Sequence, residues 1–177
     1  MTQRLNDLSP RDRRRAIGRS GAIIGAAWAI TLTAYGLSPT NVAGHFATLR
    51  DLIFGGLIVA VVLGWQLRRI GASDLPELRA AEAFGVVFIV FLVLFSTVYL
   101  SMSHGYPESF DRPLDHIKAF YFTVTTFATV GFGDITAKTD TARLVVTGQM
   151  LFDLALIGVL AKALFGKAHA VLGSEER

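Results

Sequence analysis

The sequence contains no cysteine and few charged residues. Without cysteine, the chain has no disulfide framework and no thiolate metal site, and redox chemistry at sulfur is excluded. Charged residues make up 18% of the 177 residues and hydrophobic residues 52%, with a mean hydropathy of +0.48. This composition is too apolar for an ordinary soluble domain, so it predicts a membrane protein.

Recognisable catalytic motifs are also missing. The chain has no HExxH, GxSxG or GxxxxGK[ST] sequence. Gly131-Phe132-Gly133 begins a GxGxxG string, but Thr136 occupies the third glycine position and no alternating strand–helix pattern surrounds it. The sequence therefore predicts a protein that is not an enzyme.

What the chain does contain is long apolar runs. Four segments approach the ~20 residues that cross a bilayer: Gly21–Leu37, Leu52–Leu67, Ala83–Met102 and Leu144–Phe165. Ser9, Pro10 and Asp12 form an N-cap, a first-turn proline and an early acid, which predicts a short basic helix leading into the first span. Gly21 and Gly25 form a small-xxx-small pair that would let this span pack closely on a neighbour, although ordinary membrane-helix composition explains them equally well.

The distribution of positive charge predicts the orientation. Of the 17 lysines and arginines, twelve fall on the side that holds both termini and five on the other. Positive residues favour the cytoplasmic side, so we expect both termini in the cytoplasm and the chain in the plasma membrane. The pI near 9.5 thus reflects membrane orientation and not nucleic-acid binding, and the basic start of the chain is a candidate contact for anionic lipids.

The region between the third and fourth spans has a different pattern. Pro113 and Asp115 predict a helix start, and His116–Phe127 is too short to span a bilayer. Non-helical backbone follows at once, in the sequence TVGFGD. Such backbone survives at membrane depth where it lines a water-filled path, and Gly131 and Gly133 would let successive carbonyl oxygens face one side.

These residues resemble a known family. Thr129–Asp134 is similar to the selectivity filter of potassium channels, with phenylalanine where tyrosine is common. Phe120–Phe127 resembles the family's pore helix, and the resemblance extends over Ala83–Phe165. Together with the four apolar spans, this resemblance predicts an all-α membrane protein with four transmembrane helices, a re-entrant pore helix and a filter loop. The expected divisions are a basic cytoplasmic segment, two peripheral helices, the pore domain and a short cytoplasmic tail, at residues 1–20, 21–67, 83–165 and 166–177.

The resemblance also implies a function and site residues. Four identical chains would surround one pore with fourfold symmetry and conduct potassium ions, with no other cofactor. The ions would bind at Thr129, Val130, Gly131, Phe132 and Gly133, with Asp134 at the pore mouth. The residues expected to support the filter are Tyr121, Phe122, Thr125 and Thr126. For Tyr121 and Phe122 the alternative is lipid-facing aromatics.

Two positions depart from the family. Thr125 stands where some members carry an acid that pairs with the acid at the position of Asp134, so that pair is absent here. Asp153 stands where many members carry a flexible glycine. It is either a carboxylate facing the cavity, where it attracts cations or blockers, or a buried partner of Gln149 or a pore-helix threonine. The residues assigned to the inner-helix cavity or to gating are Gly148, Gln149, Asp153, Ile157 and Gly158.

Two other functions stay open at this point. A poorly selective cation channel would use the same architecture, and a non-conducting scaffold or modulatory subunit would use the membrane helices alone. The first two spans carry no repeated interior arginines, which excludes a familiar voltage sensor. The sequence does not identify the gating stimulus.

Overall fold

The described part of the chain forms five α-helices. The computed structural model describes residues 9–38, 45–71 and 76–175, from residue 159 onward by backbone alone. The helices are α1 (Pro10–Gly36), α2 (His45–Gly71), α3 (Pro76–Gly105), α4 (His116–Phe127) and α5 (Asp140–Glu175), with a 3₁₀ turn at Pro107–Ser109. No strand occurs within these described ranges. The prediction of an all-α fold is confirmed.

α1 begins as its sequence predicts. The Asp12 backbone N–H donates to Ser9 Oγ at 3.3 Å, the Ser9 hydroxyl donates to the Asp12 carboxylate at 2.6 Å, and Pro10 occupies the first turn. The helix then continues without a break to Gly36. The basic residues are thus the first turns of α1 itself, so no change of secondary structure marks the boundary expected at residue 20. α5 likewise runs on past residue 165.

α3 is the centre of the molecule. Ile89, Val98 and Tyr99 on this helix are fully buried, and α1, α2 and α4 all pack against it. Gly55 of α2 lies against Leu94 of α3, and Gly85 of α3 lies against Ile24 of α1. A Cβ at Gly21 or Gly25 would meet no atom within 4 Å. Within one chain the close approach of α1 therefore occurs at Gly85, not at the predicted glycine pair.

Among the residues that the structure describes, three helices are long and apolar enough to cross a membrane, namely Pro10–Gly36, Leu78–Gly105 and Asp140–Gly158. The apolar stretch found in α2, Ile53–Gln66, is shorter. These lengths agree with the predicted membrane protein. The second of the four predicted spans is helical, and its crossing of the membrane stays a prediction.

α4 has the predicted bounds. The Asp115 carboxylate caps its N-terminus by accepting the Lys118 backbone N–H at 2.8 Å, and the helix ends at Phe127. Ala119 and Thr123 are fully buried against α3. α4 is therefore a short helix fixed on α3 along one face, with its C-terminal end leading into the TVGFGD loop, residues Thr129–Asp134.

Candidate functional site

The TVGFGD loop alternates the handedness of its backbone. Thr129, Gly131 and Gly133 have φ of 56°, 52° and 76°, in the left-handed region, whereas Val130 and Phe132 do not. In a regular strand successive carbonyls point to opposite sides. Inverting every second residue turns them toward the same side, so the loop can present a row of carbonyl oxygens to one ion path.

Sequence reasoning expected the unusual backbone at the two glycines but not at Thr129, which it had identified only as an ion-binding residue. Among the described residues, Thr129 is the one non-glycine residue with positive φ. A β-branched residue there costs about 1–2 kcal/mol of backbone energy, so no propensity rule assigns it this conformation. The surrounding contacts must hold it.

Those contacts come from the last turn of α4. The Thr125 carbonyl accepts the backbone N–H groups of Val130 at 3.0 Å and Gly131 at 3.3 Å, and the Thr126 carbonyl accepts that of Thr129 at 3.0 Å. Helix C-terminal carbonyls ordinarily lack partners. Here they bind the loop's amides instead, which leaves the loop's own carbonyls available to a ligand.

The predicted support residues Tyr121 and Phe122 face in different directions. The Tyr121 hydroxyl donates to Asp134 Oδ1 at 3.3 Å, and its ring stacks on Phe132 with centroids 6.4 Å apart and planes 3° apart. Phe122 instead is buried behind the loop, against Tyr99 and Phe110. Tyr121 thus contacts the TVGFGD loop directly, and Phe122 fills the space between α4 and α3.

The segment that follows the TVGFGD loop is fastened to the segment that precedes α4. Asp111 N–H donates to the Thr136 carbonyl at 3.0 Å, and Thr136 N–H donates to the Asp111 carboxylate at 3.0 Å. Lys138 N–H donates to the Ser109 carbonyl at 2.8 Å beside an isolated antiparallel bridge. The sequence analysis did not predict this clamp, because the pairing depends on two loops meeting in space.

A buried polar network centres on Gln149 of α5. Its Oε1 accepts the Tyr99 hydroxyl at 2.6 Å, and its Nε2 donates to the Thr123 carbonyl and to Asp153 Oδ2, both at 3.2 Å. The Thr123 hydroxyl also accepts that of Ser96 at 3.0 Å. The network joins α3, α4 and α5. Its α3 members, Tyr99 and Ser96, were not identified from the sequence.

Asp153 adopts the buried arrangement among the two that its position suggested. It is 3% exposed and bonded to Gln149, one helical turn before it. Its second oxygen, Oδ1, has no hydrogen-bond partner within the described part of the chain. The residue also lines the cavity beside the loop, which is the other environment that the sequence suggested for it.

That cavity brings many of the predicted site residues together. Its volume is about 490 Å³, and Thr129, Gly131 and Gly133 of the loop line it. Its other predicted members are Phe122, Thr125, Thr126, Asp153 and Ile157. Gly148, Gln149 and Gly158 are not among its lining residues, and a Cβ at either glycine would meet no atom within 4 Å.

Comparisons with known proteins match this same region. Residues 87–168, from α3 through α5, match the family described as Ion channel. The chain is 51% identical over 49 residues to the hyperpolarization-activated voltage-gated potassium channel of Methanocaldococcus jannaschii, covering 27% of this chain and 23% of that protein. It is 36% identical over 72 residues to the potassium channel protein kcv of Paramecium bursaria Chlorella virus 1, covering 38% of this chain and 76% of that protein.

A third relative extends the similarity toward the N-terminus. The voltage-gated potassium channel Kch of Escherichia coli is 28% identical over 125 residues, covering 69% of this chain and 28% of that protein. The chain spans about a quarter of the length of the archaeal and bacterial relatives. No solved structure matches significantly. The matched family region contains the TVGFGD loop and its supports but leaves out α1 and α2.

Proposed function

The chain belongs to the family of potassium channel pore domains, and we propose from this that it conducts K⁺ passively across a membrane. The observation that carries the proposal is the alternating backbone of Thr129, Gly131 and Gly133. A loop of this kind can replace the hydration shell of an ion with carbonyl oxygens. The proposed cargo of the pore is therefore dehydrated K⁺.

The site residues receive the following roles in this proposal. K⁺ binds in successive sites formed by the Thr129 hydroxyl and by the carbonyls of Thr129, Val130, Gly131 and Phe132. Repulsion between ions in adjacent sites then drives them along the pore. The carboxylate of Asp134 raises the local cation concentration at the mouth. The C-terminal end of α4, with its partial negative charge, favours a cation in the cavity.

One chain provides one strand of the proposed ion path, so the pore needs more copies. Val130 and Phe132 are 51% and 69% exposed in the single chain, although both are apolar residues of the loop. A homotetramer with fourfold symmetry closes the path and covers them. α3 and α5 would be the outer and inner pore helices, and α1 and α2 would lie at the periphery.

The proposed surroundings are the plasma membrane, with both termini in the cytoplasm. The exposed arginines at the start of α1 then lie beside the inner leaflet, where anionic lipids attract them. Lipids and other copies of the chain are the proposed partners, and nucleic acid is not.

The test is the reversal potential of the purified chain in a planar bilayer, with a potassium gradient opposed to sodium. The natural chain should reverse near the potassium equilibrium potential. Gly131→Ala should lose this selectivity, because alanine is strained at a φ of 52°. Gly25→Ala is the matched control, since this helical glycine has open space where a Cβ would lie.

Other outcomes point to the alternatives. A reversal near zero with robust current would indicate a poorly selective cation channel. A monomer in detergent with no current under any condition would favour the non-conducting scaffold.

A further inference from the structure

α1 lies outside the region that matches the family, yet it contacts the helices α3 and α4 at three points along its length. At its basic end, the buried Ser20 hydroxyl donates to the buried Glu82 carboxylate of α3. In its middle, the Trp28 indole N–H donates to the Gly85 carbonyl at 3.0 Å. At its far end, the Tyr35 hydroxyl donates to the His116 carbonyl of α4 at 2.9 Å. α1 therefore connects the start of α3 with the start of α4.

The contact at the far end, here called the clasp, consists of several interactions on one turn of α4. The Tyr35 side chain is 6% exposed and packs edge-on against the His116 ring, with centroids 5.0 Å apart. Ser38 Oγ lies 3.2 Å from His116 Nε2. The clasp thus holds the first turn of α4 by its backbone and by its side chain.

The clasp is connected to the ion path through α4. α4 has 12 residues, which is ~18 Å at 1.5 Å per residue. Its first turn is held by α1, and the carbonyls of Thr125 and Thr126 in its last turn hold the TVGFGD loop. A helix this short moves as a unit, so a displacement of His116 also displaces the groups that position the loop.

The opposite end of α1 is strongly basic. Arg11, Arg15 and Arg19 follow one another at four-residue spacing, which places them along one helix face, and all three are exposed. Arg13 and Arg14 add two further exposed charges on the same turns. Because α1 is one uninterrupted helix, this basic surface and Tyr35 of the clasp belong to a single rigid element.

We propose that anionic phospholipid headgroups bound at the basic surface of α1, Arg11–Arg19, regulate the pore through the clasp of Tyr35 on His116. The inference rests on the proposed function, because the regulated activity is K⁺ conduction. A ligand shifts a conformational equilibrium only when it binds the two states with different affinity. In this proposal the two states of the channel differ by a tilt of α1. The tilt changes both the distance of the arginines from the headgroups and the position of His116.

The experiment uses the full chain in phosphatidylcholine vesicles with and without phosphatidylglycerol. K⁺ flux is one measurement, and hydrogen exchange of the α4 backbone amides is the second. Adding phosphatidylglycerol should change the flux by about fivefold or more, the lower end of ordinary allosteric coupling. It should also change the exchange of α4.

Variants separate lipid binding from coupling. The triple variant Arg11→Gln, Arg15→Gln and Arg19→Gln should lose both phosphatidylglycerol binding, followed by native mass spectrometry, and the flux response. The triple lysine variant at these positions keeps the charge and should retain both. Tyr35→Phe should keep phosphatidylglycerol binding and lose most of the flux response, because only the hydroxyl that reaches His116 is removed.

Two further variants guard the conclusion. Ser38→Ala weakens the clasp without changing Tyr35 and should also reduce the flux response. It therefore tests the clasp even if Tyr35→Phe does not assemble. Tyr106→Phe removes a tyrosine hydroxyl outside the clasp and should leave the response unchanged.

Two results would overturn the inference: a full lipid response in Tyr35→Phe and Ser38→Ala, or selective K⁺ flux that phosphatidylglycerol does not change. If no chain conducts, the proposed function fails, and hydrogen exchange decides the inference separately. An α4 response to phosphatidylglycerol that Tyr35→Phe abolishes would then support the coupling, and an unchanged α4 would refute it.

Discussion

Gln149 uses its side-chain amide in three directions at once. One neutral group accepts from Tyr99 of α3 and donates both to Thr123 of α4 and to Asp153 of α5. An amide suits this position because it carries a donor and an acceptor together. Gln149 is also fully buried, where water cannot replace a lost partner. The residue therefore couples the three helices that hold the TVGFGD loop.

Replacing Gln149 by leucine should destabilise the chain by about 2–4 kcal/mol, because two or more buried polar groups lose their partner at about 1–3 kcal/mol each. Denaturant titration of the protein in mild detergent measures this change. Tyr99→Phe should cost less, because it removes one hydroxyl and leaves a single unpaired acceptor.

The double variant Gln149→Leu, Tyr99→Phe isolates the pair. Its cost should fall below the sum of the two single costs, because each single change already breaks the same hydrogen bond. Strict additivity would show that the 2.6 Å contact between the two side chains contributes nothing to stability.

At the scale of elements, the stability of α4 depends on pH through the ionisation of its N-cap, Asp115. The backbone N–H of Lys118, which donates to the Asp115 carboxylate, and the Lys118 ammonium 3.0 Å from it hold the pKa of Asp115 below its ordinary value of 3.8. A lowered pKa means that the folded chain favours the ionised carboxylate. The stabilisation is therefore complete above pH 3.8 and is lost as the pH falls through the lowered pKa.

Asp115→Ala should accordingly cost about 1 kcal/mol at pH 7, the usual value of an N-cap. The difference from the natural chain should shrink below the ordinary carboxyl pKa, where the natural cap becomes protonated. Thermal unfolding across pH measures it. Asp140→Ala is the matched control, because this exposed carboxylate in the first turn of α5 has a longer contact with Arg143, at 4.0 Å. A constant difference down to pH 2 would contradict the assignment.

Elements of this kind are where sequence reasoning succeeds. The bounds and cap of α4 and the Ser9 cap of α1 follow from local rules that involve a few adjacent residues. The handedness of Thr129, the approach of Ile24 to Gly85 and the clasp of Tyr35 on His116 do not. The approach to Gly85 and the clasp join groups far apart in the chain, and no periodicity in one sequence encodes which distant groups meet. The left-handed Thr129 runs against the backbone preference of a β-branched residue, so local rules favour another conformation there.

The role of Trp28 likewise depends on a distant contact. Trp28 lies too deep in α1 for a membrane-interface aromatic, which is the usual role of tryptophan in such helices. In the structure its indole N–H donates to the Gly85 carbonyl, and its ring packs beside Phe88 with centroids 6.0 Å apart. A partly buried indole N–H is stabilised by a hydrogen-bond acceptor, and the Gly85 carbonyl provides one.

The whole molecule leaves an apolar surface that one chain cannot bury. It consists of exposed side chains on the TVGFGD loop and along α5, among them Val130, Phe132, Leu144, Leu151 and Leu154. Lipid can cover part of α5, but the loop also needs a polar, water-filled path on its other side. Assembly around a shared axis satisfies both requirements. We therefore expect a detergent-solubilised mass of four times 19.2 kDa.

Potassium should stabilise this assembly against heat. An ion that binds only the assembled loops adds stability by mass action, about 2.7 kcal/mol at a hundred times its dissociation constant. Tetramer dissociation, followed by native mass spectrometry or gel mobility, should therefore occur at higher temperature in KCl than in NaCl. Gly131→Ala should abolish the difference, and equal temperatures for the natural chain would show that the loops do not discriminate the two ions.

The clasp of Tyr35 on His116 also bears on how the chain matures during synthesis. Its two residues are separated by 81 positions, whereas the bond between Tyr99 and Gln149 closes over 50. A ribosome adds about 5–20 residues per second, so the end of α1 waits for several seconds after it is made. α3, Pro76–Gly105, is completed only near the end of this interval, so α1 first waits for α3 and then for the pore helix. Docking of the first helix on the ion path is therefore a late event in biogenesis, one that follows the insertion of α3 and the emergence of the pore helix.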